Sequence, residues 1–279
     1  MNKVKIFAPA KVNFTLDILG EEQGFHKIKS LVSTISLGDT VVLKKRNDKS
    51  ITITQEGIIV ECPLEQNNAY KSAKLFMETF NTCGVDIIIK KRIPLGGGLG
   101  GSSADISAVL KGMKKLYKIE QDITPLANIL GSDTAYMLDG GLAVIEGRGE
   151  IVSHINARLN LYLLLLTANS SVTAGECYKE FDKIAKTYPY TTDKAVESLV
   201  NRSYQEFVST LKNDLYIPAK TLCPEIEQNL NLLKEQGDCF MTGSGSATVG
   251  VYKTRRARNK AYKKLLPIVT TKLIKTKTK

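Results

Sequence analysis

The sequence predicts an α+β protein whose first part is rich in strands and whose second part alternates strands with helices. Three observations support this class. Short apolar runs separated by turn residues fill residues 1–62, a helix with one clear apolar face follows a glycine cluster in the middle of the chain, and strands and helices alternate from about residue 155. With 279 residues, the chain has room for a full hydrophobic core and for two lobes.

The first part is predicted to contain strands and hairpins, followed by helices. The predicted strands cover residues 4–7, 12–19, 31–35, 40–43, 51–54, 58–60 and 85–90. Helices are predicted over residues 68–81 and 124–130. The clearest helix lies between them, because apolar residues recur there with the helical period: Ile106, Val109, Leu110, Met113, Leu116 and Tyr117.

The second part has the element order of an α/β plait. Strands are predicted over residues 142–146, 150–154, 159–166, 239–241, 247–252 and 268–274, and helices over 192–211, 225–234 and 254–266. From about residue 155 this order fits a ferredoxin-like arrangement. We therefore predict an N-terminal domain over residues 1–155 and a C-terminal domain over residues 156–279.

The excess of basic over acidic residues lies entirely in the last 28 residues of the chain. Lys and Arg number 39 and Asp and Glu number 28, but residues 252–279 hold 11 bases and no acid, so the remainder is balanced at 28 against 28. This distribution argues against a polyanion-binding body, and nucleic acid is not an expected partner. Much of the basic segment has a helical apolar stripe, and residues 275–279 are expected to form a loose tail.

Other features indicate a cytoplasmic globular protein. The apolar runs are too short to cross a bilayer, and the first residues do not resemble a secretory leader. The five cysteines are scattered, which favours reduced, buried thiols over disulfides or a zinc site. Two histidines are too few for a histidine-rich metal cluster.

A glycine-rich segment, PLGGGLGGSSAD at residues 94–105, carries the strongest indication of function. It joins a strand to the clearest helix, so backbone N–H groups, the helix dipole and the hydroxyls of Ser102 and Ser103 can cradle a phosphate. A Walker A reading fails because no Gly-Lys-Ser/Thr follows. A dinucleotide-binding reading is disfavoured because the acids about 20 residues on lie between two helices. A turn whose glycines serve packing alone is the third interpretation. It explains less than phosphate binding does, because packing does not require five glycines within six residues followed by two serines.

Two further segments contain polar residues in apolar surroundings. Lys11 and Asn13 are two residues apart, so they share one face of a strand, although this segment alone favours an edge lysine that opposes aggregation. Asp133, in a Gly-Ser-Asp turn, is compatible with a helix cap, a general base or a metal ligand. The spacing alone does not decide between these roles.

Two turns complete the candidates. Phe25 and His26 lie between strands, where an aromatic ring and an imidazole can stack on a base, although alone they favour a plain hairpin tip. Residues 242–246, TGSGS, form a second small-residue turn, which is a weak indication by itself.

Taken together and in this order, the motifs resemble those of the GHMP kinases. The matching segments are PAKVN at residues 9–13, residues 94–105 and residues 241–247. The details most resemble the diphosphocytidyl-methylerythritol kinases within that family, through GFHKI at 24–28, LGD at 37–39, GSD at 131–133 and GRGE at 147–150. The resemblance implies a two-lobed fold, with an N-terminal domain like domain 2 of ribosomal protein S5 and a ferredoxin-like C-terminal domain.

The resemblance also implies an activity. The protein would use ATP and Mg²⁺ to phosphorylate the 2-hydroxyl of a cytidine diphosphate substrate in non-mevalonate isoprenoid biosynthesis. Asp133 would accept the proton of that hydroxyl, and Lys11 would stabilise charge near the attacking oxygen. Asn13 and His26 would contact the substrate, and Phe25 and Tyr178 would stack on cytosine. The residues implied to bind ATP are Asn68, Pro94, Leu95, Gly96, Gly97, Gly98, Leu99, Gly100, Gly101, Ser102, Ser103 and Ala104.

The sequence departs from that pattern in three places and leaves alternatives open. Phe25 replaces a tyrosine, Ala104 replaces the last serine of the loop, and residues 172–176 lack a common proline. Another GHMP kinase, acting on mevalonate or homoserine, and a nucleotide- or nucleic-acid-binding homologue without catalysis remain alternatives. The metal ligands are left unassigned, and a monomer or a homodimer is expected.

Overall fold

The computed structural model describes residues 2–22, 24–157, 159–184 and 189–279. The strands are β1 (Lys3–Asn13), β2 (Thr15–Glu22), β3 (Phe25–Lys45), β4 (Ile51–Gly57), β5 (Val85–Lys91), β6 (Leu142–Gly147), β7 (Ile151–His154), β8 (Tyr162–Leu166), β9 (Lys212–Asn213), β10 (Asp238–Met241), β11 (Thr248–Tyr252) and β12 (Leu273–Lys277). The helices are α1 (Asn68–Phe80), α2 (Gly101–Tyr117), α3 (Thr124–Leu130), α4 (Thr134–Asp139), α5 (Ala174–Phe181), α6 (Thr192–Val200), α7 (Tyr204–Ser209), α8 (Tyr216–Leu222), α9 (Glu225–Lys234) and α10 (Arg255–Leu265).

The chain forms two compact units that alternate along the sequence. The first unit comprises Met1–Ala10, Leu37–Ile93 and Gly100–Gly140, and the second comprises Lys11–Ser36, Pro94–Leu99 and Gly141–Lys279. Strands β1 and β3 therefore contribute residues to both units. The domain division at residue 155/156 stays a prediction. In the described part of the chain, no helix is both long and apolar enough to cross a membrane.

The first unit places helices beside a small group of paired strands. The end of β3 pairs antiparallel with β5, from Thr40 opposite Lys90 onward, and β4 runs parallel to β5. Parallel neighbours need a crossover, which α1 supplies between β4 and β5. Strand β5 alternates buried and less buried residues, as a half-covered strand should.

Helix α2 carries the predicted apolar face into the core of the first unit. Its periodic residues Ile106, Val109, Leu110, Met113 and Leu116 are all buried. The last member, Tyr117, is partly exposed and donates its hydroxyl proton to the Gly84 carbonyl at 2.6 Å. This confirms the helix that the 3.6-residue period predicted.

The second unit contains the predicted ferredoxin-like sheet. Its strand order is β10–β11–β8–β12, and β8 pairs antiparallel with both neighbours. Because β8 is central, its leucines at 163–166 are fully buried. With α5–α9 between β8 and β10 and α10 between β11 and β12, the order is the β-α-β-β-α-β arrangement. The same unit also holds the β2–β3 hairpin, with β6 against the first half of β3.

The structure corrects the predicted end of the chain. The last strand begins at Leu273 rather than at residue 268, and Lys275 and Thr276 pair with β8. The final Lys279 donates its N–H to the Thr34 carbonyl at 3.0 Å. Residues 275–279 are therefore not a loose tail, because alternate side chains such as Thr276 and Thr278 are buried.

Several other boundaries differ from the predicted ones. The single helix predicted over 192–211 is two helices, α6 and α7, separated where Arg202 adopts a positive φ of 55°. The described residues 58–60 lie beyond the end of β4. Helices α4, α5 and α8 were not predicted, because none is longer than eight residues and each offers little periodicity.

Candidate active site

The glycine-rich loop begins in a region where backbones approach one another closely. Gly98 has a φ of +67°, and a Cβ at this position would lie 2.6 Å from the Thr242 carbonyl oxygen. A Cβ at Gly243 would lie 2.6 Å from the Gly98 carbonyl oxygen, and the Ser246 N–H donates to the Gly96 carbonyl at 3.0 Å. The turn at residues 242–246, a weak indication in the sequence, therefore supports the loop. Packing alone explains the glycine at position 98.

Gly97 is a different case from its neighbour Gly98. Its φ is not in the left-handed region, and the nearest atoms to an added Cβ, on Ala247 and Leu99, lie at 3.4 Å. The surrounding protein therefore accepts a Cβ here at ordinary van der Waals contact, so packing does not require a glycine. A glycine that packing does not require is available for close approach of a ligand to the backbone.

The helix that follows the loop has the features of an anion-binding end. Helix α2 has 17 residues and begins at Gly101, after Gly100 in the left-handed conformation. Its first N–H groups have no intrahelical acceptors, and the dipole favours negative charge there. The Ser102 hydroxyl accepts a hydrogen bond from Asn68 Nδ2 at 2.6 Å. The structure thus brings together two residues predicted to bind ATP.

Lys11 is buried, with 5% of its surface exposed. This excludes a solvent-exposed edge lysine, the role favoured from that segment alone. Lys11 Nζ donates to Asn13 Oδ1, as expected for two residues on one strand face, and Asn13 Nδ2 donates to the Ser30 hydroxyl at 2.8 Å. The Asn13 N–H donates to the Thr242 hydroxyl at 2.8 Å. Asn13 therefore orients Lys11 through its side chain.

Asp133 lies at the start of α4, next to the helix that follows the glycine loop. Within the described residues its carboxylate makes no capping hydrogen bond to α4. The Ser107 hydroxyl of α2 donates to the Met137 carbonyl of α4 at 2.6 Å, and a Cβ at Gly131 would lie 3.8 Å from Ser103 Oγ. The turn that carries Asp133 therefore neighbours the first turn of α2. Asp133 belongs to the first unit and Lys11 to the second, and their pairing stays a prediction.

An aromatic cluster surrounds His26 in the second unit. The His26 ring stacks on Tyr178 with centroids 4.7 Å apart and an angle of 14° between the planes. Asp182 Oδ1 accepts a hydrogen bond from His26 Nε2 at 2.7 Å. Phe25 is 54% exposed, and the Arg148 guanidinium lies 4.5 Å from its ring centroid. The structure brings His26 and Tyr178 together, and adds Asp182 and Arg148, which the sequence did not assign.

A buried ion cluster in the first unit also escaped sequence reasoning. Lys91 Nζ donates to Asp39 Oδ2 at 2.8 Å and to Asp105 Oδ2 at 2.5 Å. Burial raises the pKa of Asp105 to about 7, and Asp39 adds to this effect while Lys91 opposes it. Burial alone would lower the pKa of Lys91, but the two carboxylates outweigh it and raise that pKa. The LGD motif contained Asp39, whereas Lys91 resembled any lysine at the end of a strand.

The described residues contain no dedicated metal site built from protein side chains alone. No group of three or more His, Cys, Asp or Glu is arranged there to hold a metal ion. Two oxygen-bearing side chains belong to neighbouring segments, Ser103 to the start of α2 and Asp133 to the turn beside it. Hard oxygen ligands of this kind suit Mg²⁺, which commonly reaches kinases with its nucleotide.

Comparison with known proteins identifies the family. The N-terminal GHMP kinase domain model matches residues 67–143, and the C-terminal GHMP kinase model matches residues 195–268. A 4-diphosphocytidyl-2-C-methyl-D-erythritol kinase of Bacillus cereus (strain B4264) is 34% identical over 257 residues, covering 89% of this chain and 88% of that protein. The enzyme of the same name from Bacillus thuringiensis (strain Al Hakam) is 34% identical over 261 residues. The match covers 90% of this chain and 88% of the Bacillus thuringiensis protein.

Solved structures agree with this assignment. A crystal structure of a 4-(cytidine 5'-diphospho)-2C-methyl-D-erythritol kinase superposes with a TM-score of 0.81 and 27% identity, covering 99% of this chain and 100% of that one. A homoserine kinase from Cytophaga hutchinsonii superposes with a TM-score of 0.77 and 19% identity, covering 100% of this chain and 95% of that one, which supports the fold. The chain belongs to the GHMP kinase family and is an ATP-dependent small-molecule kinase.

Proposed function

We propose that the protein transfers the γ-phosphoryl group of ATP to the 2-hydroxyl of 4-diphosphocytidyl-2-C-methyl-D-erythritol, a step of non-mevalonate isoprenoid biosynthesis. The observation that carries this proposal is the near-full-length similarity to kinases of that name, at 34% identity over 89% of the chain. The cluster of Phe25, His26 and Tyr178 supports it, because aromatic rings can stack on a cytosine base.

The proposed catalytic residues are Asp133 and Lys11. Asp133 accepts the proton of the attacking hydroxyl, and Lys11 stabilises negative charge near the attacking oxygen. The burial of Lys11 supports its role, because an ammonium group acts more strongly on a charge away from bulk water. For Asp133, the support is its position at the start of α4, in a turn that neighbours the first turn of α2.

The proposed nucleotide site is the segment from Pro94 to Ala104 together with Asn68. The N–H groups of the loop and of the first turn of α2 hold the phosphates, and Asn68 lies beside the adenine. The Asn68–Ser102 hydrogen bond at 2.6 Å supports a shared site for the two residues. Mg²⁺, when bound with ATP, neutralises charge on the phosphates, and Ser103 and Asp133 are the residues that would hold it.

The proposed acceptor site recognises the cytidine end of the substrate. His26 reads the edge of the base, Phe25 and Tyr178 stack on it, and Asn13 contacts the substrate. The stacking of His26 on Tyr178 places these two residues side by side at the proposed cytidine end. Replacement of tyrosine by Phe25 removes a hydroxyl and keeps the ring.

A substrate panel tests this function directly. Purified protein is given Mg-ATP and, separately, 4-diphosphocytidyl-2-C-methyl-D-erythritol, mevalonate or homoserine, and ADP release is followed. We expect turnover with the cytidine substrate and inhibition of that turnover by CMP. Turnover with mevalonate or homoserine instead would assign a different GHMP kinase activity, and turnover with none of them would contradict the proposal.

A further inference from the structure

The buried ion cluster of Asp39, Lys91 and Asp105 lies at both ends of the glycine loop. Lys91 is the last residue of β5, just before the loop, and Asp105 is in the first turns of α2, just after it. Asp39 belongs to β3, the strand beside β5. One ammonium group therefore connects the strand that enters the loop with the helix that leaves it.

The hydrogen bonds of Asp39 strengthen this connection. Its Oδ2 accepts from Lys91 Nζ at 2.8 Å, while its Oδ1 accepts the backbone N–H groups of Arg92 at 2.5 Å and Ile93 at 2.8 Å. These are the last two residues before Pro94. Since Lys91 also donates to Asp105 at 2.5 Å, the backbone before the loop and the helix after it share a single polar network.

The composition of the cluster is not what stability alone would favour. The side chains of Lys91, Asp39 and Asp105 are 6%, 0% and 9% exposed, and two carboxylates face one ammonium group. Asp105 Oδ1 is buried without a hydrogen-bond partner among the described residues. Apolar side chains commonly join a strand to a helix at least as well as buried ions do. The fixed directions of hydrogen bonds are what this network adds.

We propose that Lys91 is a positioning residue for ATP. By bridging Asp39 and Asp105 it fixes the spacing between the two ends of the glycine loop, and so aligns the loop N–H groups and the start of α2 on the phosphates. It also balances carboxylate charge that would otherwise repel those phosphates. The inference rests on the proposed use of the loop for ATP, and goes beyond it by assigning a residue that does not touch the nucleotide.

A second cluster of one cation and two aspartates, more exposed than the first, lies at the other end of β5 and provides a control. There Arg46 bridges Asp48 and Asp86, with its guanidinium nitrogens 2.7 Å from each carboxylate. Asp86 is five residues before Lys91, so the two clusters are about 16 Å apart along the strand. Arg46→Met therefore removes a cation between two aspartates, Asp48 in the turn after β3 and Asp86 on β5, away from the loop.

The test compares Lys91→Met with Arg46→Met. Affinity for a non-hydrolysable ATP analogue is measured by calorimetry, and KM for ATP and for the alcohol acceptor by steady-state kinetics. We expect Lys91→Met to weaken analogue binding and raise KM for ATP at least about tenfold, with the acceptor KM changed less than about twofold. We expect Arg46→Met to leave both KM values unchanged. Lys91→Arg should recover part of the loss, because it retains the charge.

Unchanged analogue binding in a folded Lys91→Met protein would overturn the inference, as would an equal loss in Arg46→Met. If Lys91→Met does not fold, Asp39→Asn is compared with Asp86→Asn, and the same selective loss of ATP affinity is expected. Analogue binding by the wild-type protein without turnover of the cytidine substrate would contradict the proposed acceptor and leave the inference intact. Failure of the wild-type protein to bind the analogue would contradict both.

Discussion

Two regions beside the glycine loop hold it by different physical means. In the second unit, the loop rests on the turn at 242–246 through close backbone contacts. Asn13, whose N–H donates to the Thr242 hydroxyl of that turn, orients Lys11 through its side-chain amide. In the first unit, the ends of the loop are joined by the charges of Lys91 and its two aspartates. Adding a side-chain atom to a loop glycine should disturb the first arrangement. Changes in side-chain charge or in pH should disturb the second.

The largest expected effect concerns Lys11 and Asp133, the two proposed catalytic residues. Lys11→Ala and Asp133→Asn should each lower kcat by roughly 100-fold or more, because charge stabilisation or proton transfer is lost at the transition state. Circular dichroism and the thermal midpoint check that each variant is folded. Lys5→Ala, which removes an exposed lysine from the same strand β1, is the control and should keep wild-type turnover. Near wild-type kcat in either variant would contradict its assigned role.

The next prediction compares two neighbouring glycines of the loop. Gly98→Ala should lower the free energy of unfolding by at least about 1–2 kcal/mol, because an alanine at positive φ is strained and its Cβ would meet the Thr242 carbonyl. Gly97→Ala should change that free energy little, because its Cβ meets its neighbours at ordinary contact distance. It should instead raise KM for ATP, because the methyl group hinders close approach of the phosphates to the loop backbone. Denaturant titration and ATP kinetics on both variants separate the two effects. Equal destabilisation by both would remove the distinction between packing and ligand approach.

The pH dependence of stability tests the charged region. Because the folded-state pKa of Asp105 is raised to about 7 from an ordinary value of 3.8, the folded protein binds the extra proton more tightly than the unfolded chain does. This group's contribution to stability is therefore full below about pH 4 and declines as the pH rises to about 7. Asp105→Asn removes the decline, so the variant should gain at least about 1 kcal/mol relative to wild type between pH 4 and pH 8.

Urea titrations of both proteins across that range measure the difference. Lys91, which pairs with Asp105, and Asp39, which pairs with Lys91 and raises the pKa of Asp105, are unchanged in the variant. A parallel pH profile for wild type and variant would show that Asp105 does not titrate near neutrality.

The smallest predicted effect concerns the orientation of His26. Asp182→Asn weakens the hydrogen bond to His26 Nε2, which should raise KM for the cytidine substrate a few-fold and leave KM for ATP unchanged. Steady-state kinetics with each substrate varied in turn measures both constants. A change in KM for ATP alone would contradict the role of His26 at the cytidine end.

The sequence predicted features that depend on local pattern or on ordered motifs. Helix α2 followed from its helical period, and β5 from an apolar run that ends before Pro94 and the glycines. Lys11 and Asp133 were singled out by motifs that recur together in one family, and their roles stay predictions. The support of Gly98 by Thr242 could not be predicted, because it joins residues far apart in the chain through backbone atoms. Lys91 was overlooked for a similar reason: its partners, Asp39 and Asp105, become neighbours only when β3, β5 and α2 pack together.

At the end of the chain, the sequence led to a wrong prediction rather than to an overlooked contact. Its lysines suggested a solvated tail, but the alternating threonines at 276 and 278 are buried, and β12 pairs with β8. Charge density alone outweighed a strand pattern of only five residues in the prediction. The basic residues of this segment belong to folded elements of the second unit.

The most direct measurement is the reaction with 4-diphosphocytidyl-2-C-methyl-D-erythritol itself. Purified protein, Mg-ATP and this substrate are incubated, and phosphorus NMR locates the new phosphate on the product, with Asp133→Asn as the control. We predict one ADP released for each substrate phosphorylated at its 2-hydroxyl, and loss of that product in the variant. Folded wild-type protein that leaves this substrate unphosphorylated, or phosphorylates a different hydroxyl, would contradict the account.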